Sequence, residues 1–144
     1  MTDFLAYGTL SIPEVLATVT GRRHDDVPAR VAGFTRVRMR NRVYPAAVEE
    51  PGAWLAGRLY LDLDGATLAR IDRFEGRQYA RRRVDVEVDG ALRPAELYVL
   101  REAYRSVALA EPWDQAAFAR EHLPAFLRMC AEFRAEEDAR AAQR

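Results

Sequence analysis

The spacing of apolar residues divides the chain into strands and helices. Phe4-Leu5-Ala6-Tyr7 is an unbroken apolar run closed by Gly8, the pattern of a short strand buried on both faces. Val15, Leu16 and Val19 then recur at helical spacing behind Ser11 and Glu14, which stand in capping-box register, with Pro13 suited to a first turn. After the turn-rich stretch 21–28, Thr35, Val37 and Met39 alternate with Arg36, Arg38, Arg40 and Arg42, so period two puts four arginines on one sheet face. Tyr44-Pro45-Ala46-Ala47-Val48 reads as a short strand kept at a sheet edge by its proline. Over residues 54–63, Leu55, Leu59, Leu61 and Leu63 fall on one face, with Trp54, Arg58, Tyr60 and Asp62 on the other.

A helix follows over residues 65–75, with Asp64 as its cap and Leu68, Ile71 and Phe74 as its apolar stripe; Gly76 is placed to end it in the left-handed conformation. Val84, Val86 and Val88 alternate with Arg83, Asp85 and Glu87 before Asp89-Gly90, the preferred two-residue hairpin turn. That turn sets Val88 opposite Ala91, Val84 opposite Ala95, Arg83 opposite Glu96 and Arg81 opposite Tyr98. Tyr79 and Arg81 come at the start of the hairpin on its polar face. Residues 111–114 open a helical region that Pro124 breaks; Phe126, Met129, Cys130 and Phe133 then face the core, and the polar, Ala-rich tail 134–144 is expected to fray. There is no internal repeat or linker, so the chain reads as one domain over 1–144, a sheet core at 1–112 and a helical region at 113–144.

Composition removes several classes of chemistry. Acidic and basic residues balance at 22 each, which advertises neither a nucleic-acid nor a membrane partner. The arginine face at 36–42 carries no interleaved aromatics for stacking bases, so an ion-paired or solvated face is expected there. Every basic residue is Arg, which excludes a lysine nucleophile or Schiff base. One cysteine excludes an internal disulfide, and His24 and His122 have no metal-ligand spacing. Residues 1–10 do not resemble a signal peptide and no apolar run has the length of a membrane span, so a cytoplasmic location is expected.

Two places could carry chemistry. Glu75 falls at the last position of its helix, where unpaired carbonyls oppose a carboxylate by about 0.3–1 kcal/mol and raise its pKa towards the range useful in proton transfer. The alternative is a solvated Glu between Arg73 and Arg77. The second place is the strand-to-helix turn at Gly8-Thr9-Leu10, whose backbone N–H groups can converge on a carboxylate. A plain connection is the alternative. Nothing in the turn is a nucleotide-binding glycine motif.

Taken together, Tyr7-Gly8-Thr9-Leu10, Tyr44-Pro45-Ala46, Gly57-Arg58-Leu59-Tyr60, Ile71-Asp72-Arg73-Phe74-Glu75-Gly76 with Tyr79 and Arg81, and Trp113 with Phe118 resemble the gamma-glutamylcyclotransferase-like family, in the branch named for a plant avirulence-induced gene. The resemblance implies an α/β (α+β) fold, a small mixed barrel-like β-sheet with flanking helices and a C-terminal helix. It implies cyclisation of a γ-glutamyl amine, amino acid or amide to 5-oxoproline with release of the amine. By the same resemblance Glu75 matches the catalytic acid/base, and Tyr7, Gly8, Thr9 and Leu10 match the substrate-binding loop, with Tyr79 and Arg81 beside them. No metal or cofactor is implied; the partner is a small γ-glutamyl substrate. A non-catalytic binding or regulatory protein with the same pocket is the alternative, because fold and pocket do not by themselves guarantee turnover.

Overall fold

The computed structural model describes all residues, 1–144. Six strands, β1 (Thr2–Ala6), β2 (Asp26–Met39), β3 (Pro45–Leu63), β4 (Tyr79–Val88), β5 (Ala91–Leu100) and β6 (Ala108–Pro112), form one mixed sheet in the order β1-β3-β5-β4-β2-β6. β2 also pairs with β3, so the sheet curls round on itself. Four helices flank it: α1 (Pro13–Thr20), α2 (Gly65–Glu75), α3 (Gln115–Glu121) and α4 (Leu123–Ala142). Alternation along β1 supplies both halves of the core. Phe4 and Ala6 pack towards the helices with Tyr60, Ile71, Tyr98 and Phe126, while Leu5 and Tyr7 pack with Val31, Leu59, Val86 and Leu97 on the sheet's other side.

The hairpin β4–β5 has the register that its turn dictates. Val88 pairs with Ala91, Val84 with Ala95, Arg83 with Glu96 and Arg81 with Tyr98, and Asp89 and Gly90 take φ of 51° and 81°. α2 is likewise as expected at its start, where Asp64 Oδ1 accepts from Thr67 N at 2.8 Å.

Other elements differ from the sequence reading. The stretches 44–48 and 54–63 belong to one long strand, β3. Its pairing with β2 runs from Tyr60 to Trp54, shifts, and resumes from Glu49 to Pro45, with Gly33 and Gly52 at φ of 86° and 84° taking up the bend. Pro45 is the first residue of β3, where a missing N–H is harmless, and Ala47 is flanked by Arg36 of β2 and Val99 of β5, so this is no edge. A bulge at Asp62, φ 56°, turns Leu63 to the Tyr60 side, away from Leu55 and Leu59. β2 ends at Met39, so Arg40 and Arg42 lie beyond the strand. Of the remaining two, Arg38 pairs with Glu111 at 2.7 Å and Arg36 donates to Tyr7 O.

The expected capping box is absent. Residues Thr9–Ser11 form a 3-10 turn that draws Ser11 Oγ onto Gly8 O, and Ile12 precedes α1 with no side-chain cap. Gly76 ends α2 at φ 85° and ψ −175°, an extended mirror-image conformation open essentially to glycine alone, rather than the left-handed helical one. Pro124 does divide α3 from α4.

The tail does not fray at residue 134, because α4 continues to Ala142 and Glu137, only 3% exposed, accepts from Arg73 Nε and Nη2 at 2.9 and 2.6 Å. Arg73 holds the Glu137 carboxyl below the ordinary carboxylate range, aided by Arg70 and Arg140. Stability from this group is present above the ordinary Glu pKa and is lost as pH falls through the lowered one. Glu137→Gln should therefore destabilise the fold by about 1–3 kcal/mol at pH 7. In urea unfolding the gap from the wild-type protein should close as the pH is taken into the acid range.

Candidate active site

Where the end of β1, the end of α2 and the first residues of β3 and β4 meet under α4, they enclose a cavity of about 440 Å³. Glu75 and residues 8–10 both line it. Glu75 as a whole residue is half-buried, but its carboxyl end lies among protein atoms and finds no counter-charge. Burial, and then the negative charge of Asp72 one helical turn earlier, push the carboxyl up to about 8. The sequence assigned this rise to the helix end; in the structure burial comes first. Arg73 is turned to Glu137 and Arg77 is exposed, so the solvated arrangement between two arginines is not formed.

The opposite wall is the turn after β1. Tyr7 contributes its backbone: the phenol points into the core, donating to Tyr98 O at 2.7 Å and accepting from Ala47 N at 3.0 Å. Gly8 is required by closeness. A Cβ there would lie 2.9 Å from Pro45 Cγ, tighter than side chains tolerate. Thr9 and Leu10 are buried, and the Leu10 carbonyl accepts from Tyr60 Oη at 2.8 Å. Among the turn, loop and cap hydrogen bonds the N–H groups of Gly8, Thr9 and Leu10 donate to nothing. They remain available to an anion.

Tyr79 and Arg81 part company. Tyr79 is buried, 5% exposed, lines the cavity, and donates from its hydroxyl to Pro45 O at 2.6 Å. Arg81, expected beside it, does not line this cavity. It bonds Asp72 at 2.9 Å and Glu96 at 2.8 Å in a smaller neighbouring cavity of about 370 Å³. Arg81 thus reaches Glu75 only through Asp72, which also accepts from Tyr98 Oη.

Three contributors went unrecognised in the sequence. Pro45 lines the cavity and closes on Gly8; in the sequence it reads as an edge marker and belongs to a motif of the family resemblance, with no place in the site. Tyr98 lines it as well, and its pairing with Arg81 in the expected hairpin register was a usable signal. The third is α4, whose Phe126 and Phe133 reach the cavity together with Met129, Glu132 and Glu136. Met129, assigned to the core stripe, is 44% exposed at this rim. Cys130 is fully buried and its thiol is pushed up to about 12 by burial, which leaves it without thiolate character.

Comparison with known proteins bears on the fold and the family. AIG2-like protein C of Arabidopsis thaliana is 33% identical over 84 residues, 58% of this chain, and the chain spans about half, 49%, of that relative's length. AIG2-like protein B of the same plant is 26% identical over 130 residues, 87% of this chain and 73% of its own. Among solved structures, a solution structure of an Arabidopsis thaliana protein superposes with a TM-score of 0.69 at 22% identity, covering 89% of this chain and 87% of that one. One described as gamma-glutamyl cyclotransferase gives 0.61 at 16% identity, over 93% and 86%. At these identities the superpositions speak for the fold. The profile of the family described as "Gamma-glutamyl cyclotransferase, AIG2-like" matches residues 4–115, from β1 to the start of α3, and the chain belongs to that family.

Proposed function

We propose that this protein cyclises γ-glutamyl compounds, forming 5-oxoproline and releasing an amine, with Glu75 as the proton carrier. The observation that supports this best is an unpaired carboxyl, pushed up to about 8, in the same cavity as the free amides of residues 8–10. The substrate's α-carboxylate would rest on those amides, which sets its α-amine within reach of its own γ-carbonyl. Nucleophile and electrophile belong to one molecule, so the protein's main contribution is to hold the folded conformer.

The proton balance explains why one carboxyl is enough. The α-ammonium carries three protons and the lactam nitrogen of the product keeps one. Two must pass to the leaving nitrogen, which departs as an ammonium. Glu75 in its ionised form takes a proton from the α-ammonium, the free amine attacks the γ-carbonyl, and the C–N bond to the leaving group breaks as protons are returned to its nitrogen. A carboxyl near 8 is closely matched to an α-amine, which ordinarily titrates at about 7.7–8.0, so transfer in either direction meets little energetic opposition. A carboxylate at its ordinary value would be too weak a base.

Incubation with a panel of γ-glutamyl amines and amino acids, with 5-oxoproline as readout, tests the assignment. Glu75→Gln should lower kcat by about 10²–10⁴-fold. Activity undiminished in that variant would remove Glu75 from the mechanism. In the wild-type protein kcat/KM should climb about tenfold per pH unit below about 8 and fall again above it, because the reaction needs the ionised carboxyl together with an α-ammonium that still carries the protons bound for the leaving nitrogen. A profile flat down to pH 5 would argue for a different base.

The same group should leave a mark on stability. Its folded pKa lies above the unfolded one, so the stability associated with the neutral carboxyl is fully present below the ordinary Glu value and is lost as pH rises to about 8. Thermal melts should therefore show the wild-type protein losing stability between about pH 5 and 8 relative to Glu75→Gln.

A further inference from the structure

The amides of residues 8–10 serve a carboxylate only if their N–H groups face the cavity. A trans peptide points its N–H and C=O in opposite directions, and this chain has no cis bonds. Whatever holds each carbonyl therefore aims the following N–H. Two of these carbonyls are held by the turn itself: Gly8 O accepts from Ser11 N, and Thr9 O from Ile12 N, both at 3.1 Å. The carbonyl of Tyr7 precedes the turn and has no partner in it. Its partner is Arg36 Nη1, 29 residues away on β2, at 2.7 Å.

We infer that Arg36 is a positioning residue for the substrate carboxylate, locking the peptide that joins Tyr7 to Gly8 so that the Gly8 N–H faces the cavity. This deepens the cyclotransferase reading and rests on it for the identity of the carboxylate. The peptide it locks is the one most in need of a lock, because Gly8 has no Cβ to resist rotation. Arg36 is itself fixed. Its backbone pairs with Ala47 of β3, and its guanidinium lies 5.1 Å from the centre of the Trp113 ring. Unlike Arg38, it has no direct ion pair, although it feels the charge of Asp114, and its guanidinium is spent on the Tyr7 carbonyl behind the anion site. Arg36 touches neither substrate nor reacting atoms; it acts through the Tyr7 carbonyl.

Two lactams separate this role from a merely structural one. 5-Oxoproline carries the carboxylate and 2-pyrrolidinone is the same ring without it. By NMR titration, Arg36→Met should weaken 5-oxoproline at least about tenfold and leave 2-pyrrolidinone nearly unchanged. For a γ-glutamyl substrate it should raise KM with little change in kcat, since a carboxylate is held equally in ground and transition states. Arg36→Lys should recover part of the loss, because an ammonium can donate to the carbonyl but cannot lie flat on Trp113. It also supplies the same ratio should the Met variant fail to fold. Equal weakening of both lactams, or of neither, overturns the inference. If the wild-type protein forms no product yet binds 5-oxoproline in an Arg36-dependent way, the proposed reaction fails and the positioning role stands. If it does not bind 5-oxoproline at all, both fall.

Discussion

Enclosing a carboxyl without a counter-charge is the constraint around which this molecule is arranged. The chain has 22 arginines, yet none pairs with Glu75. Arg73, two residues before it, is taken up by Glu137. Arg81, opposite Tyr98 in the hairpin, is taken up by Asp72 and Glu96. Each pairing leaves the cavity a cation poorer, and the carboxyl answers by holding its proton to about 8. A single arginine swung into the cavity would restore an ordinary carboxylate.

Pro45 joins the two walls of that cavity. Its ring stands where a Gly8 side chain would be, and its carbonyl accepts from the buried Tyr79 hydroxyl. One residue thereby fixes the separation between the turn after β1 and the start of β4, and so the space left between the amides and Glu75. A second tyrosine reinforces it: the Tyr7 hydroxyl bridges Tyr98 O and Ala47 N, tying β1 to β5 and β3. The aromatic hydroxyls here hold backbone carbonyls in place, and burial pushes their pKa values up, away from any role as acids near neutrality.

What the sequence made legible was what short-range rules govern. The β4–β5 register follows from a two-residue turn and a period of two, and the Asp64 cap from a spacing of three; both needed no knowledge of the rest of the chain. Glu75 and the turn at residues 8–10 were legible singly, each from its own helix end or glycine, and more so through the family resemblance. What failed depended on distant partners. β3 looked like two strands because its bend is set by glycines on both β2 and β3, and its proline looked like an edge marker because strand order is not written locally. Arg81 shares a strand face with Tyr79, but only the position of Asp72 on α2 tells which cavity it enters. The tail from residue 134 looked ready to fray because the arginine that orders it lies 64 residues upstream.

Comparing Glu137 with Glu75 shows how α2 separates an ion-paired carboxylate from an unpaired one. Glu137 is the more buried residue, yet its carboxyl is held low; Glu75 is the more exposed, yet its carboxyl is raised. Whole-residue exposure therefore does not decide the matter: burial of the unpaired carboxyl raises Glu75, and at Glu137 the hydrogen-bonded guanidinium of Arg73 outweighs burial. Arg73 is two positions before Glu75, and residues so spaced on a helix do not face each other. Side chains three and four apart do, which is why Asp72 is the charge that Glu75 feels. Between Arg73 and Glu75, Phe74 packs edge-on against Phe126 and Phe133, with ring centres 6.2 and 5.2 Å away, and seats α2 against α4. With that ring seated, Arg73 is committed to α4 and Glu75 to the cavity. The unpaired state of Glu75 is thus a consequence of helix register in a chain that carries as many arginines as carboxylate side chains, 22 of each.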